Sequence, residues 1–273
     1  MHCSVLVVEE LTQIDVQLWA DLALCRFKGV QMILCGDFGQ FGPVCEHWAG
    51  CALAEGALEN SQMLHEMCGG MCGGNKLVLT ENKRSDARLF DFYTNLGEDL
   101  QAALRRAKAL FAKTKREAQY TLTMSHSRRV AVNKLRNRQE YMEKFNFQKG
   151  NSHSVQAVLI KAPPPTRAGN QPQDMWVWPG LQLIGAGGLC KKGLFYEVAE
   201  VDTDGVNLLG GPRLTHEQAA RSLRLAYALT YASCQGLTLR GVVRLETDSP
   251  NFTMKHLYVG ISRATAADLV DVA

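Results

Sequence analysis

No stretch of this 273-residue chain is apolar over the ~18 residues needed to span a bilayer. The N-terminus has neither the cationic start nor the small-residue cleavage site of a secretory leader. A disulfide framework is missing too. Of the nine cysteines, Cys3, Cys25, Cys35, Cys45, Cys51, Cys190 and Cys234 are scattered singly, mostly inside apolar runs, and only Cys68 and Cys72 form a close pair. These absences argue against membrane and secreted classes and predict an intracellular, soluble protein with reduced thiols and no membrane partner. The stretch His65-x-x-Cys68-x-x-x-Cys72 holds half the donors of a zinc site, with His47 and Cys51 as a complement; flexible or buried thiols are the other reading. Strong charge is lacking as well: the net value is +3, so composition alone does not announce nucleic acid. The distribution is uneven. The first 25 residues contain no Lys or Arg, and basic residues concentrate between Arg105 and Arg138.

What is present reads as an α/β protein, with 46% apolar and 21% charged residues, ordinary for a globular chain. Residues 4–8 (SVLVV) form a short apolar run, expected for a strand buried on both faces of a parallel sheet. Thr12-x-x-Asp15 resembles a capping box, and Ile14, Leu18 and Leu22 follow at helical spacing, so residues 13–26 are predicted helical. VQMILC (30–35) is a second apolar strand. Strand, helix and strand in this length make a βαβ unit with parallel strands. Glu9 and Glu10 follow the first strand; Asp37 and Gln40 follow the second. Ligands of open α/β sheets bind outside the carboxyl ends of strands, so these polar side chains are expected to converge on one crevice.

Farther on, residues 66–75 (EMCGGMCGGN) read as a glycine-rich loop and KLVLT (76–80) as a third strand. A helical face recurs between Asp99 and Gln119, flanked by Arg105, Arg106, Lys108, Lys113, Lys115 and Arg116. A new unit begins at Tyr120 with strand YTLTM and a helix carrying Val130, Leu135 and Tyr141. Residues 162–180 read as a linker or long loop, and 176–209 as a small β-subdomain. Strands LRLAYALTY (223–231) and GVVRLE (241–246), then a helix near Thr253–Arg263, return the chain to α/β.

An acidic pair at a strand end can hold Mg²⁺ through water with one carboxylate and orient or deprotonate an attacking water with the other. A Gly-Asp turn with Gln40 three residues on places an amide beside the same crevice. Near the C-terminus come AYALTYASCQGLTL and LYVGISRAT. With these the sequence resembles the superfamily 1 DNA helicases of the 5′-to-3′ branch, the RecD and PIF group. The acidic pair, GDxxQ-P-V, L-x-x-N-x-R, T-x-x-x-x-QG-x-T and Y-V-x-x-S-R occur in that family's order and cover essentially the whole chain.

The resemblance implies two RecA-like P-loop NTPase-type domains, the first N-terminally truncated, with a small SH3-like β insertion in the second. It implies residues 1–97 as the first domain, a basic connecting helix at 98–119, and 120–273 as the second domain with the insertion at about 155–212. Glu9 would coordinate Mg²⁺ and Glu10 would be the catalytic base. Gln40, with Asp37, would sense the γ-phosphate of ATP, and Arg84 and Arg263 would be arginine fingers. Gly236 would line the nucleotide cleft, while Thr230, Gln235 and Thr238 would couple it to single-stranded DNA. The processes implied are DNA repair, recombination and replication.

The family's phosphate loop, G-x-x-x-x-G-K-[ST], does not occur. GGMCGGNK (69–76) places its lysine one residue late, has Leu77 where a hydroxyl belongs, and precedes an expected strand rather than a helix. Backbone N–H groups at a helix N-terminus are what hold phosphates. Glu9 also replaces the family's Asp, "FGQFGPV" departs from Leu-Pro-Pro-Val, and Ala232 and Ser233 replace an expected His-Lys pair. The expectation is a partial helicase, inactive alone, whose phosphate loop comes from another segment or chain. The alternative is a non-catalytic remnant that binds single-stranded DNA or regulates. Trp176 and Trp178 are expected in the core of the β-unit, base stacking being the other reading.

Overall fold

The computed structural model describes residues 4–43, 47–48, 51–52, 58–68, 77–111, 117–146, 157–163 and 172–273. Cys72, the GGMCGGNK stretch, Lys113, Lys115 and Arg116 lie outside the described residues. The N-terminal unit contains β1 (Val5–Val8), α1 (Val16–Phe27), β2 (Gln31–Leu34), a two-stranded ribbon β3 (His47–Trp48) and β4 (Cys51–Ala52), and α2 (Gln62–Met67). β1 and β2 are parallel, with Val5 beside Gln31 and Val8 beside Leu34. The helix starts later than its sequence suggests. Asp15 is the N-cap, its Oδ1 accepting from the Leu18 amide at 2.9 Å, while Thr12 is buried in a short 3₁₀ turn. The single turn Leu11–Gln13 bonds back to Cys35 through the Leu11 amide and ends at Ile14, whose backbone is extended (φ −77°, ψ 126°), so the helix opens only after Asp15.

Leu6, Val8, Met32 and Leu34 face a core with Trp19, Leu22, Leu64 and Met67. Burying each large apolar side chain contributes about 1.5–3 kcal/mol. The opposite face breaks the expectation of a sheet buried on both sides: Val5, Val7 and Ile33 are 43%, 56% and 53% exposed. Among the described residues, only α1 and α2 contribute a helical layer, and both lie on the Leu6–Val8 side. The expected strand at 76–80 is also not formed. Residues 77–80 are coil, with Leu77 and Leu79 at 90% and 92% exposure, because nothing in the described structure pairs with them.

α3 (Ala87–Thr94) and α4 (Leu100–Leu110) follow, then β5 (Tyr120–Thr123) and the long α5 (His126–Asn146). An antiparallel region comes next: β6 (Val158–Ile160), β7 (Met175–Val177), β8 (Gln182–Gly185), β9 (Phe195–Val201), β10 (Gly205–Leu208), β11 (Arg213–Thr215), helix α6 (His216–Ser222) and β12 (Leu223–Leu225). The chain ends with β13 (Ala228–Thr230), α7 (Tyr231–Cys234), β14 (Val243–Leu245), α8 (Met254–Ser262) and β15 (Val270–Val272).

The C-terminal sheet runs β13-β5-β14-β15, all parallel. Its core includes Leu122, Leu229, Val243, Leu257 and Val259, and also Leu89 and Phe92 of α3 and Ala103 and Ala107 of α4. The antiparallel strands form a five-stranded sheet, β11-β10-β9-β8-β12, and a β6-β7 pair around their own core. The run LRLAYALTY, expected as one strand, serves both sheets. Leu223–Leu225 pairs with β8 and Ala228–Thr230 with β5, with Ala226 and Tyr227 carrying the chain across. Trp178 is buried in the β-unit core, and half-buried Trp176 stacks on Tyr141 at 4.1 Å between ring centroids.

Two asparagines one turn apart on α5 join these sheets. Asn133 donates to the Ala228 carbonyl (3.1 Å) and accepts from its amide (2.8 Å). Asn137 does the same with Trp176, at 2.9 and 2.8 Å. β13 is an edge strand, and a side-chain amide there takes the place of a neighbouring strand. Positions i and i+4 share a helix face, so one helix closes the edge of each sheet.

Candidate functional site

The strand ends of both units meet. Glu10 follows β1 and is the sole non-glycine with positive φ among the described residues, at φ 52° and ψ 43°. An L-residue adopts this left-handed conformation at a cost of order 1–3 kcal/mol, which the surrounding fold must over-determine. The Glu10 carbonyl accepts from the Gln13 amide at 2.8 Å and turns the chain into the 3₁₀ segment. Its carboxylate lies beside Gly236, where an added Cβ would sit 3.8 Å from Oε1. Gly236 follows α7 with φ 78°, a conformation that favours glycine. Glu9 is exposed at the end of β1.

After β2, the GDFGQF turn folds around Asp37. Its Oδ1 accepts from the Gly39 amide (2.9 Å), and its Oδ2 accepts from Gln40 Nε2 (3.1 Å) and from the Tyr258 hydroxyl (2.6 Å). Gln40 Oε1 is buried without a hydrogen-bond partner among the described residues. The turn packs on the C-terminal unit: the Phe41 ring meets His256 edge-on at 4.7 Å, and its carbonyl accepts from Gln235 Nε2 at 3.5 Å.

Arg263 sits at the end of α8, only 2% exposed. Its guanidinium donates to the Val259 carbonyl, Ser262 Oγ and the Leu237 carbonyl, all neutral acceptors. Among the described residues no ion pair includes it, although a buried arginine is ordinarily matched by an anion. Desolvation pulls its pKa below the ordinary arginine value, and the Arg84 charge adds to that, while Glu10 opposes it. Arg84 is exposed and donates to the Ser262 carbonyl at 3.3 Å. An anion entering here would meet two guanidinium groups, one of them already desolvated.

Glu10, Asp37, Gln40, Arg84, Gln235, Gly236 and Arg263 are therefore brought together. Thr230 is occupied as the N-cap of α7, accepting from the Ser233 amide at 3.2 Å, and Thr238 is exposed beyond that helix. Tyr258, Phe41 and His256, which complete the contact between the units, carried no functional expectation. Tyr258 was nevertheless visible as the first letter of Y-V-x-x-S-R. Among the described residues no three His, Cys, Asp or Glu side chains gather as a metal site, and the zinc reading depends on Cys72, outside them.

Much of the basic 105–138 stretch is committed to structure. Arg106 donates to the Asn95 carbonyl at 2.9 Å and lies over Phe92, Arg128 forks onto Glu246, Arg136 pairs with Glu117, and Arg129 is buried. Arg105 and Lys108 instead line a cleft of about 450 Å³ with Thr247, Asp248, Ser249 and Pro250, beyond the carboxyl end of β14. No described helix is long and apolar enough to cross a membrane.

His256 makes the contact between units pH-sensitive. Its ring is surrounded by Phe41, Tyr231 and Phe252, and Nδ1 accepts from the Thr253 amide at 3.1 Å. Burial lowers its pKa from 6.5. Below 6.5 the unfolded chain therefore binds a proton that the folded chain refuses until its own lower pKa is reached. The stability from neutral His256 is present above that range and lost as pH falls through the folded value. Urea midpoints should drop between about pH 7 and about pH 5, and His256→Gln should flatten the drop. His126, shifted the same way by partial burial and by Arg129, leaves a residual slope.

Sheet-end carboxylates of the N-terminal α/β unit thus lie near a buried arginine of the C-terminal one. No family model and no curated protein matches the sequence. Solved structures do. The chain aligns with a Pif1 helicase from Candida albicans at TM-score 0.65 and 19% identity, over 98% of this chain and 71% of that one. It aligns with Bacteroides Pif1 bound to ssDNA at TM-score 0.54 and 16% identity, covering 98% and 70%. A Bacteroides Pif1 in complex with ADP-AlF3 and ssDNA gives TM-score 0.55 and 15% identity, with the same coverage. The fold is that of the Pif1 helicases.

Proposed function

We propose that this chain is the greater part of an ATP-dependent DNA helicase, binding ATP in the cleft between its two α/β units and moving on single-stranded DNA as the cleft closes and opens. The observation that carries the reading is Arg263, a buried guanidinium held by neutral acceptors where the two units meet, with Glu10 near enough to oppose the fall in its pKa. In this reading Arg263 and Arg84 contact the γ-phosphate and stabilise charge that develops as it is transferred. Glu10 orients or deprotonates the attacking water. Gln40, whose Oε1 has no partner among the described residues, aligns the same water or a phosphate oxygen.

Mg²⁺ takes oxygen ligands, keeps several waters, and is typically bound through one or two carboxylates plus substrate phosphates. Glu9, an exposed carboxylate at the end of β1, fits that donor set. Bound there, the ion would neutralise phosphate charge. The 273 residues contain no G-x-x-x-x-G-K-[ST], so a further segment or chain is proposed to cradle the phosphates. The uncovered Val5, Val7 and Ile33 face supports this, because parallel sheets are covered on both faces. Single-stranded DNA is the proposed nucleic-acid partner, with Arg105 and Lys108 as candidate phosphate contacts.

The test is ATP turnover with and without single-stranded DNA. Stimulated turnover that falls about 10²–10⁴-fold in Glu10→Gln upholds the reading. The absence of the phosphate loop favours a second reading, a non-catalytic DNA-binding or regulatory remnant. Salt-dependent binding of single-stranded DNA without turnover, unchanged in Glu10→Gln, would select it.

A further inference from the structure

We propose that Tyr258 is a positioning residue that latches the Asp37–Gln40 turn of the N-terminal unit onto α8, and thereby sets Gln40 against Arg263. This rests on the nucleotide-cleft reading above. Three observations converge on it. The Tyr258 hydroxyl donates to Asp37 Oδ2 at 2.6 Å, a side-chain hydrogen bond between the units. The same carboxylate oxygen accepts Gln40 Nε2 at 3.1 Å, so Asp37 fixes the amide orientation that leaves Gln40 Oε1 without a partner among the described residues. The Tyr258 ring also lies over Gly39: a Cβ there would stand 3.2 Å from ring carbons Cε1 and Cζ, so a side chain would crowd the ring and the turn would have to give by a few tenths of an ångström.

From Tyr258, α8 runs directly to Arg263, whose Nε donates back to the Val259 carbonyl at 3.2 Å. Gln40, Asp37, Tyr258 and Arg263 thus form one connected chain from the end of β2 to the end of α8. The phenol is held in place from behind by Tyr93, edge-on at 5.6 Å. Asp37 has every donor it needs from protein. Its role in this arrangement is to join the two sides of the cleft rather than to touch nucleotide.

Tyr258→Phe keeps the ring on Gly39 and Tyr93 and removes only the latch. Two readouts test it in the full chain. Backbone hydrogen exchange in a peptide spanning residues 36–43 should quicken, because the Gly39 amide depends on Asp37 Oδ1, while α8 and the β13-β5 pair exchange as before. DNA-stimulated kcat should fall about 10–100-fold with KM for ATP little changed, the loss expected for one hydrogen bond to a charged group. Asp37→Asn should cost more than Tyr258→Phe, because an amide nitrogen in place of one carboxylate oxygen also loses the Gly39 or Gln40 contact, and the double variant should fall short of the sum of the two. Unchanged exchange at 36–43, or equal loosening throughout α8, overturns the latch. If the unaltered chain, without a segment to cradle the phosphates, shows no turnover, the exchange result alone decides the latch.

Discussion

Replacing Arg263 by alanine should lower DNA-stimulated ATP turnover by about 10³–10⁵-fold, the range for removing an arginine that stabilises phosphoryl-transfer charge. The size follows from where the guanidinium sits. At 2% exposure it is already out of water, so its field on an incoming phosphate is weakly screened. Its present acceptors are two carbonyls and a hydroxyl, none of which neutralises it. Arg84, 3.3 Å from the Ser262 carbonyl, pushes the Arg263 pKa down further, and a bound polyphosphate would reverse that shift. Arg263→Lys should recover little, since an ammonium point charge lacks the planar fork that addresses two oxygens at once. Affinity for ADP with an aluminium fluoride, measured by calorimetry, should fall in both variants while plain single-stranded DNA binding stays near the original. An Arg263→Ala protein that folds and turns ATP over at the original rate would remove Arg263 from the site.

Asn133→Ala should be the most damaging change outside the cleft. Asn133 and Ala228 are both fully buried, and the asparagine amide satisfies both the N–H and the C=O of Ala228. Alanine orphans two backbone groups at about 1–3 kcal/mol each, so about 2–5 kcal/mol of stability should be lost. In a protein of this size each kcal/mol moves Tm by about 2–4 °C. Asn133→Asp should not rescue it, because a carboxylate can accept from the amide but faces the carbonyl with a second acceptor. Asn137→Ala should cost less, since its partner Trp176 is only half-buried. A thermal scan of the three variants decides the order.

The N-terminal βαβ unit was legible because its signals are local. An apolar run, a helical repeat and a second run fix strands and helix, and Glu9, Glu10, Asp37 and Gln40 follow at the strand ends. The ordered motifs likewise placed Arg84, Gln235, Gly236 and Arg263 around one crevice. Misreadings occurred where structure depends on a partner. KLVLT has strand composition, yet a strand needs a ladder, and residues 77–80 have none. LRLAYALTY is a continuous apolar run, and apolarity does not record that the chain leaves one sheet at Leu225 and joins another at Ala228. Thr12 and Asp15 are both competent caps, and the extended backbone at Ile14, after a turn tied to Cys35 on the neighbouring strand end, decides between them.

By itself the sequence determined the α/β class, the chemistry of the strand ends and the order of the cleft residues, since periodicity, apolar runs and motif spacing are properties of neighbouring residues. Tertiary structure alone decided that Arg263 is buried on neutral hydrogen-bond acceptors with no ion pair among the described residues, that Asn133 and Asn137 close two sheet edges, and that Tyr258 reaches Asp37. Those three facts join residues 95, 39 and 221 positions apart, or depend on which parts of the chain pack around a group. Desolvation and long-range hydrogen bonding are set by what packs against a side chain, and no local pattern carries that.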